Sequence, residues 1–295
     1  MRVFRGNSLN VLYVKACKAL TSMSDFTTKS KGETLQEIHN AIFELSNPRN
    51  NMLTLKGRKL SKRYLAGETA FYLAGSDSLS FIGHYAKFWE GISDDGKTVN
   101  SCYGKRLFKE QVNGFTQIEY VVKQLSEKKD TKKAVAMIYK ERDTTPYTKD
   151  NPCTMYLHFA IRNNKLMLTT MMRSNDIWLG VPYDFFFFTT LQQIVLSLVN
   201  EKGFSYSLGK YTHIANSLHL YERNLSGAIL CANEKEFDEG TSPDIGNKNI
   251  MEMINDFLVY EKLIREGEYC PSAYTQLLSE SAFFTMLISF LRRSK

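Results

Sequence analysis

One short stretch of the sequence carries residue types that could bind a nucleotide. "RSNDIWLGVPYD", residues 173–184, begins with Arg173, contains a Gly-Val-Pro turn and ends with Asp184, immediately before four phenylalanines. An arginine guanidinium binds phosphate through paired, charge-assisted hydrogen bonds. Asp184 has two possible roles. Its carboxylate could cap the next helix by accepting from unpaired N–H groups, or it could recognise the edge of a base.

A cysteine that could act as a nucleophile precedes this stretch. Cys153 follows a proline, and the apolar residues of 155–161 alternate with their neighbours before Asn163-Asn164 and a returning run at 166–172. This pattern predicts a β-hairpin, which would bring Cys153 and Arg173 to the same end. A cation or hydrogen-bond donor lowers a thiol pKa, so that neighbourhood favours a reactive cysteine over the alternative of an inert core cysteine.

Composition narrows the classes of protein. The chain has 295 residues, 43% hydrophobic and 23% charged, with a net charge of +7. No apolar run reaches the roughly 18–20 residues of a membrane span, and the N-terminus lacks a signal-peptide pattern, so we predict a cytoplasmic protein that binds no membrane. Five scattered cysteines form no Cys-x-x-Cys pair, which predicts reduced thiols and no metal. The spread of lysines fits a small anion, and no specific nucleic-acid binding is expected.

Periodicity predicts an α+β fold. The residues 31–50 leave helix and strand both open. The other predictions are a helix capped near Asn7 or Ser8, a helix over 63–81 ended by Gly75, a loop over 88–107, a helix over 114–126, a strand over 132–140, the hairpin, a buried helix over 185–203 closed by Gly203, a strand over 210–222, a polar loop over 231–249 and an apolar helix over 281–295.

The stretch "PCTMYLHFAIRNNKLMLTTMMRSNDIWLGVPYD", with "NSLHLY" further on, resembles the thymidylate synthase family, in particular its deoxycytidylate (dCMP) hydroxymethylase branch. The resemblance covers about 30–225, within one predicted domain of residues 1–295 whose part 226–295 is a divergent C-terminal extension. It implies a large twisted mixed sheet flanked by helices, and a homodimer formed through that sheet. It also implies transfer of a one-carbon unit from 5,10-methylenetetrahydrofolate to C5 of a pyrimidine nucleoside monophosphate.

The resemblance also implies roles for individual residues. The catalytic set is Cys153, which attacks C6 of the base, Glu68, which manages protons through ordered water, Tyr103 and Asp184. The nucleotide-binding set adds Arg173 and Ser174 at the phosphate, His219 and Tyr221 at the sugar, Lys132 and Lys133 reaching across the dimer, and Lys31. The folate-binding set is Trp89, Asp176, Gly180 and Tyr183. Without the resemblance, Glu68 would be a surface glutamate, and His219 and Tyr221 core or surface residues.

Asp184 favours a cytosine nucleotide. Thymidylate synthases carry asparagine there, and an amide can donate to O4 of uracil and accept from N3–H. Cytosine presents an N4 amino donor and an N3 acceptor, which suit a carboxyl group that accepts from N4 and shares a proton with N3. Thr154 after the cysteine and the Ser-Leu-His run also resemble the hydroxymethylases. The ending "FLRRSK" does not resemble the tail with which synthases exclude water, so water capture and a hydroxymethyl product are expected.

Several alternatives stay open. The chain could be a thymidylate synthase or a deoxyuridylate (dUMP) hydroxymethylase, or a hydroxymethylase of CMP, because the sequence does not decide between ribose and deoxyribose. It could also be a non-catalytic nucleotide-binding homologue, since a fold does not guarantee activity. Hydroxymethylated cytosine nucleotides serve in modified phage DNA and in bacterial nucleoside-antibiotic pathways. If the protein is phage-encoded, we expect it in the host cytoplasm.

Overall fold

The structure is a computed structural model that describes residues 1–30, 32–269 and 276–292. Its elements are β1 (Arg2–Gly6), α1 (Leu9–Ser22), β2 (Phe26–Ser30), β3 (Glu33–Leu45), α2 (Lys62–Leu73), α3 (Leu79–Gly83), α4 (Phe88–Ile92), α5 (Tyr103–Phe108), β4 (Gln111–Val112), β5 (Phe115–Thr116), α6 (Gln117–Glu127), β6 (Val135–Met137), β7 (Thr154–Arg162), β8 (Lys165–Asp176), α7 (Val181–Asn200), β9 (Ser207–Tyr221), α8 (Leu225–Asn233), α9 (Ile250–Glu266), α10 (Gln276–Ser279) and α11 (Ala282–Leu291).

The chain divides into two compact units. Unit 1 comprises Met1–Leu60, Cys153–Gln192 and Ser207–Ser242, and unit 2 comprises Ser61–Pro152, Gln193–Tyr206 and Pro243–Lys295. The prediction of a single domain over 1–295 stays a prediction beside this division.

The strands of unit 1 form a mixed sheet. Within the unit the strand order is β1-β3-β9-β8-β7, and β2 also pairs with β3. The β1–β3 and β8–β9 pairs are parallel, while β2–β3, β3–β9 and β7–β8 are antiparallel. Burial alternates along β7 and β8, so one face of these strands is in the core and the other is partly exposed. The predicted α+β class with a large mixed sheet is confirmed.

The predicted hairpin is the part of the sheet that local sequence specifies most fully. The turn residues Asn163 and Asn164 have φ of 50° and 57°, the left-handed backbone that a two-residue type I′ turn needs and that asparagine tolerates. The strands on either side pair from Arg162↔Lys165 to Thr154↔Met172. The hairpin prediction is therefore confirmed.

Two helices that begin in unit 1 bear on the site. Helix α1 begins after Ser8, whose hydroxyl accepts from the backbone N–H of Val11, so the predicted cap is confirmed. Helix α7 begins at Val181, three residues before Asp184, so Asp184 lies inside its first turn and the capping alternative is wrong. The four phenylalanines that follow are all almost fully buried.

Unit 2 contains helices and short strands. Helix α2 ends at Leu73, two residues before Gly75 with φ of 61°, as predicted. The predicted loop over 88–107 instead contains α4 and most of α5, and the predicted strand over 132–140 is only the three residues of β6. Helix α9 was not predicted, although its buried residues Ile250, Met253, Ile254 and Phe257 fall at helical spacing. Helix α11 confirms the apolar C-terminal helix as far as Leu291.

Among residues 1–30, 32–269 and 276–292, no helix is long and apolar enough to cross a membrane. No group of three or more His, Cys, Asp or Glu side chains in the same residues could hold a metal ion.

Candidate active site

The cysteine and the arginine singled out in the sequence lie together in unit 1. Cys153 immediately precedes β7, and its backbone carbonyl accepts from the backbone N–H of Arg173 on β8 at 2.9 Å. Cys153 is half-buried and Arg173 is exposed, so both can be reached by a ligand. The predicted proximity at one end of the hairpin is confirmed.

The carboxyl ends of β8 and β9 bring further predicted residues together. The parallel register pairs Ser174 with Ser217 and Asp176 with His219. The rings of His219 and Tyr221 meet edge to face at 5.3 Å. The Asp176 carboxylate accepts from the backbone N–H of Trp178 at 2.7 Å. This hydrogen bond lowers the pKa of Asp176, but burial has the larger effect and raises it.

Asp184 is half-buried in the first turn of α7. Its Oδ2 accepts from the amide Nδ2 of Asn175 at 2.7 Å. Burial raises the pKa of this carboxyl to about 7; the Asn175 hydrogen bond opposes the shift and the charge of Asp176 adds to it. Loss of solvation disfavours an ionised carboxyl group, so the neutral acid persists to about neutral pH.

Gly180 has a structural reason for its lack of a side chain. A Cβ at this position would lie 2.6 Å from Nδ2 of Asn175 and 3.1 Å from Oδ2 of Asp184. The glycine therefore lets the amide and the carboxyl group meet. Its predicted contact with folate stays a prediction.

We expect Gly180→Ala to separate Asn175 from Asp184. Crowding of buried groups should cost about 1–3 kcal/mol in the free energy of unfolding, and loss of the hydrogen bond should lower kcat/KM by about tenfold. Urea unfolding and initial rates measure both effects. Gly91→Ala is the matched control, because a Cβ there meets nothing within 4 Å; equal effects of the two substitutions would refute this role for Gly180.

The raised pKa of Asp184 predicts how the free energy of unfolding depends on pH. The pKa is about 7 in the folded protein against an ordinary value of 3.8, so the folded state binds this proton more tightly than the unfolded chain. The associated stability is fully present below pH 3.8 and is lost as pH rises through 7. Asp184→Asn removes the titration, so its stability relative to the parent should increase between pH 4 and pH 8 by on the order of 4 kcal/mol. Urea unfolding at several pH values measures this difference, and a constant difference would contradict it.

Unit 2 holds the predicted glutamate in a hydrogen-bonded chain on α2. The hydroxyl of Tyr64 donates to Oε1 of Glu68 at 2.7 Å, and the indole N–H of Trp89 donates to the Tyr64 oxygen at 3.1 Å. Glu68 is buried, so it is not the surface glutamate that a helix pattern alone would suggest. Tyr64 was missed, although its position four residues before Glu68 puts both on one helix face.

The remaining predicted residues are distributed as follows. Tyr103 stacks on Tyr72 at 5.2 Å. Tyr183 is buried with the Arg58 guanidinium 6.0 Å from its ring. Lys132 and Lys133 are exposed just before β6. Lys31 lies outside the described residues.

Comparison with known proteins now identifies the family. A sequence model of the family described as "Thymidylate synthase" matches residues 12–264. The chain belongs to the thymidylate synthase family. Its fold agrees: thermostable thymidylate synthase A from Bacillus subtilis superimposes with a TM-score of 0.66 at 19% identity, over 82% of this chain and 90% of that one. Both the predicted family and the predicted fold are confirmed.

Two relatives of this thymidylate synthase family member are named for hydroxymethyl transfer. The deoxyuridylate hydroxymethyltransferase of Bacillus phage SP01 is 27% identical over 299 residues, covering 91% of this chain and 76% of that protein. The enzyme of the same name from Delftia phage PhiW-14 is 28% identical over 201 residues, covering 63% of this chain and 53% of that protein. The predicted class of enzyme, a one-carbon transferase, is confirmed, and enzymes of this family use methylenetetrahydrofolate as co-substrate.

Proposed function

We propose that this protein converts dCMP, methylenetetrahydrofolate and water into 5-hydroxymethyl-dCMP and tetrahydrofolate. The observation that carries the choice of base is Asp184, a half-buried carboxyl group whose pKa burial raises to about 7. A carboxyl group that has lost part of its hydration gains from a polar ligand group that complements it.

The neutral form of Asp184 complements the cytosine edge. Its O–H donates to the N3 acceptor and its carbonyl oxygen accepts from the N4 amino group. When N3 takes the proton, the ionised carboxylate still accepts from N4 and faces a cationic ring. A pKa near 7 lets this proton move in either direction at little cost, and protonation of the ring assists attack at C6.

Cys153 and Arg173 supply the other two functions that the reaction needs. The Cys153 sulfur adds to C6, which makes C5 nucleophilic and divides a difficult substitution into easier steps. Arg173, whose backbone N–H donates to the Cys153 carbonyl, binds the phosphate and holds the nucleotide beside the sulfur, with Ser174. His219 and Tyr221 bind the sugar hydroxyl.

Methylenetetrahydrofolate supplies the one-carbon unit. We assign Trp89, Asp176, Gly180 and Tyr183 to its binding, and Glu68 to proton transfer through water, with Tyr103 at the reacting carbons. The Tyr64 hydroxyl donates to one oxygen of Glu68 and so orients its carboxyl group. The names of the two phage relatives support water, rather than hydride, as the final nucleophile.

A homodimer formed through the sheet is part of the proposal. The partly exposed face of β8 carries Met167, Thr169 and Met171, which alternate with buried residues. A second copy covering this face would remove the methionine side chains from water. Lys132 and Lys133 would then bind the phosphate of the nucleotide in the partner subunit. Each ammonium group is a single charge that lacks the paired N–H donors of arginine. Cys17, Cys102, Cys153 and Cys231 form no disulfide, which suits the cytoplasm.

Hydroxymethylation of dUMP is the second candidate, favoured by the names of the two phage relatives. A neutral carboxyl group can also complement uracil by donating to O4 and accepting from N3–H. Ionised Asp184 would instead oppose O4, and this mismatch costs about 1–3 kcal/mol. The dUMP alternative therefore requires the neutral acid, whereas cytosine is complemented in both states when N3 takes the proton.

Product analysis in isotopically labelled water tests the type of reaction. The protein is incubated with methylenetetrahydrofolate and dCMP in H₂¹⁸O, and the nucleotide is analysed by mass spectrometry. Hydroxymethyl transfer predicts a gain of one CH₂O that carries ¹⁸O, with tetrahydrofolate as the other product. A gain of one CH₂ with dihydrofolate would instead indicate synthase chemistry, and no product from dCMP, CMP or dUMP would indicate a non-catalytic homologue.

A further inference from the structure

Asp184 is the end of a buried chain of hydrogen bonds that runs into the sheet of unit 1. Asn175 on β8 donates from Nδ2 to Oδ2 of Asp184 and accepts at Oδ1 from Nε2 of His213, at 2.7 Å and 2.9 Å. His213 on β9 contacts the Tyr211 hydroxyl through Nδ1 at 2.8 Å. Asn175 is 3% exposed, and His213 and Tyr211 are fully buried.

With the Asn175 amide in this orientation, the hydrogen bonds of the chain run in one direction. Because Asn175 presents its amide oxygen to His213, the imidazole must donate from Nε2, and its Nδ1 must then accept from the Tyr211 hydroxyl. Burial lowers the pKa of His213 to about 3, so the ring is neutral and carries one proton. Each member thus fixes the orientation of the next, from Tyr211 to Asp184.

Aromatic packing holds the His213 imidazole in the same orientation. The ring of Phe185, the residue after Asp184, stacks on His213 at 4.8 Å and meets Tyr211 edge to face at 5.2 Å. Phe43 on β3 approaches His213 edge to face at 6.1 Å. The imidazole therefore has aromatic neighbours from α7 and β3 that restrict its rotation while its two nitrogens hold their partners.

We infer that Asn175, His213 and Tyr211 are positioning residues that reserve Oδ2 of Asp184 as a hydrogen-bond acceptor and thereby assign its exchangeable proton to Oδ1. Asn175 can donate to Oδ2 in both protonation states of the acid. The polarised amide favours the ionised form, so the chain limits how far burial raises the pKa. This inference rests on the proposed function for its role in catalysis, but its structural part can be tested without a substrate.

The other titratable groups that act on Asp184 are few. Asp176, on the same strand as Asn175, has a charge that raises the Asp184 pKa. Tyr211 on β9 has a pKa raised well above its ordinary value by burial, so it stays neutral, as does His213. Removal of one member of the chain therefore changes hydrogen bonding to Asp184 without removing a charge.

Titration of the Asp184 carboxyl carbon is the test. Protein labelled with ¹³C at the aspartate carboxyl carbons is followed by NMR, and the signal absent from Asp184→Asn is assigned to Asp184. His213→Phe keeps an aromatic ring beside Phe185 and should raise the titration midpoint by about half a pH unit, whereas Asn175→Leu should raise it by about one unit. Tyr211→Phe, which removes only a hydroxyl group, should shift it in the same direction.

Tyr13→Phe is the matched control, because the Tyr13 hydroxyl is buried and has no hydrogen-bond partner among the described residues. It should leave the midpoint unchanged. An unchanged midpoint in folded Tyr211→Phe and His213→Phe would overturn the inference, and Tyr211→Phe keeps the test decisive if His213→Phe does not fold. A shifted midpoint in a protein that does not turn over dCMP would retain the positioning role and reject the proposed function.

Discussion

Replacement of Cys153 by alanine should abolish hydroxymethylation while the protein still folds and binds nucleotide. Without the sulfur, no covalent bond forms at C6 and C5 does not become nucleophilic. Removal of a covalent nucleophile from other enzymes costs several powers of ten, so we expect a fall in kcat of at least about 10⁴-fold. Product formation measured by mass spectrometry, with nucleotide binding measured by calorimetry, tests this expectation.

The matched control is Cys17→Ala. Cys17 is a fully buried thiol in α1, and burial raises its pKa well above the ordinary value, so it should be chemically inert. We expect this variant to lose some stability and to keep its turnover number. Retention of activity in Cys153→Ala would rule out covalent attack by this sulfur, whatever the identity of the product.

Replacement of Asp184 by asparagine should reverse the preference for the base. An asparagine amide complements uracil, because its NH₂ group donates to O4 and its oxygen accepts from N3–H. In the same position the NH₂ group opposes the N4 amino group of cytosine. We expect kcat/KM for dCMP to fall by about 100-fold or more and dUMP binding to increase, since a buried unpaired donor discriminates strongly.

Asp150→Asn is a matched control for this change. Asp150 is a buried aspartate whose pKa, like that of Asp184, burial raises. Its carboxylate accepts from the backbone N–H of Ser101, which an amide oxygen can also do. The ratio of dCMP to dUMP turnover should be unchanged in this variant. If Asp184→Asn also left the ratio unchanged, Asp184 would not be the group that distinguishes the bases.

Local sequence predicted those parts of the fold that depend on local physics. Alternation with two turn asparagines specified the β7–β8 hairpin, and Ser8 specified the start of α1. Strand β3 was ambiguous because its buried residues Leu35, Ile38 and Ala41 are three positions apart, a spacing that also occurs on one face of a helix. Helices α4 and α5 are five and six residues long, too short for a helical period to be evident among glycines and aspartates.

In the site, too, local sequence predicts the contacts between residues that are close along the chain or joined by the hairpin, and not the others. The proximity of Cys153 and Arg173 follows from the hairpin, and the Tyr64–Glu68 pair follows from helical spacing. The contact between Asn175 and His213 joins residues 38 positions apart across the parallel β8–β9 pair, whose register depends on the intervening helix α7. No local pattern encodes such a contact, so the roles of Asn175 and His213 were not predicted, although Asn175 lies within residues 173–184.

The most direct test of the account is a competition between bases. Equal concentrations of dCMP and dUMP are incubated together with the protein and methylenetetrahydrofolate at pH 8, where most of Asp184 is ionised in the free protein. The account predicts that 5-hydroxymethyl-dCMP dominates the products and that the ratio reverses in Asp184→Asn. Preferential hydroxymethylation of dUMP by the unaltered protein would contradict it and assign this chain the substrate for which its phage relatives are named.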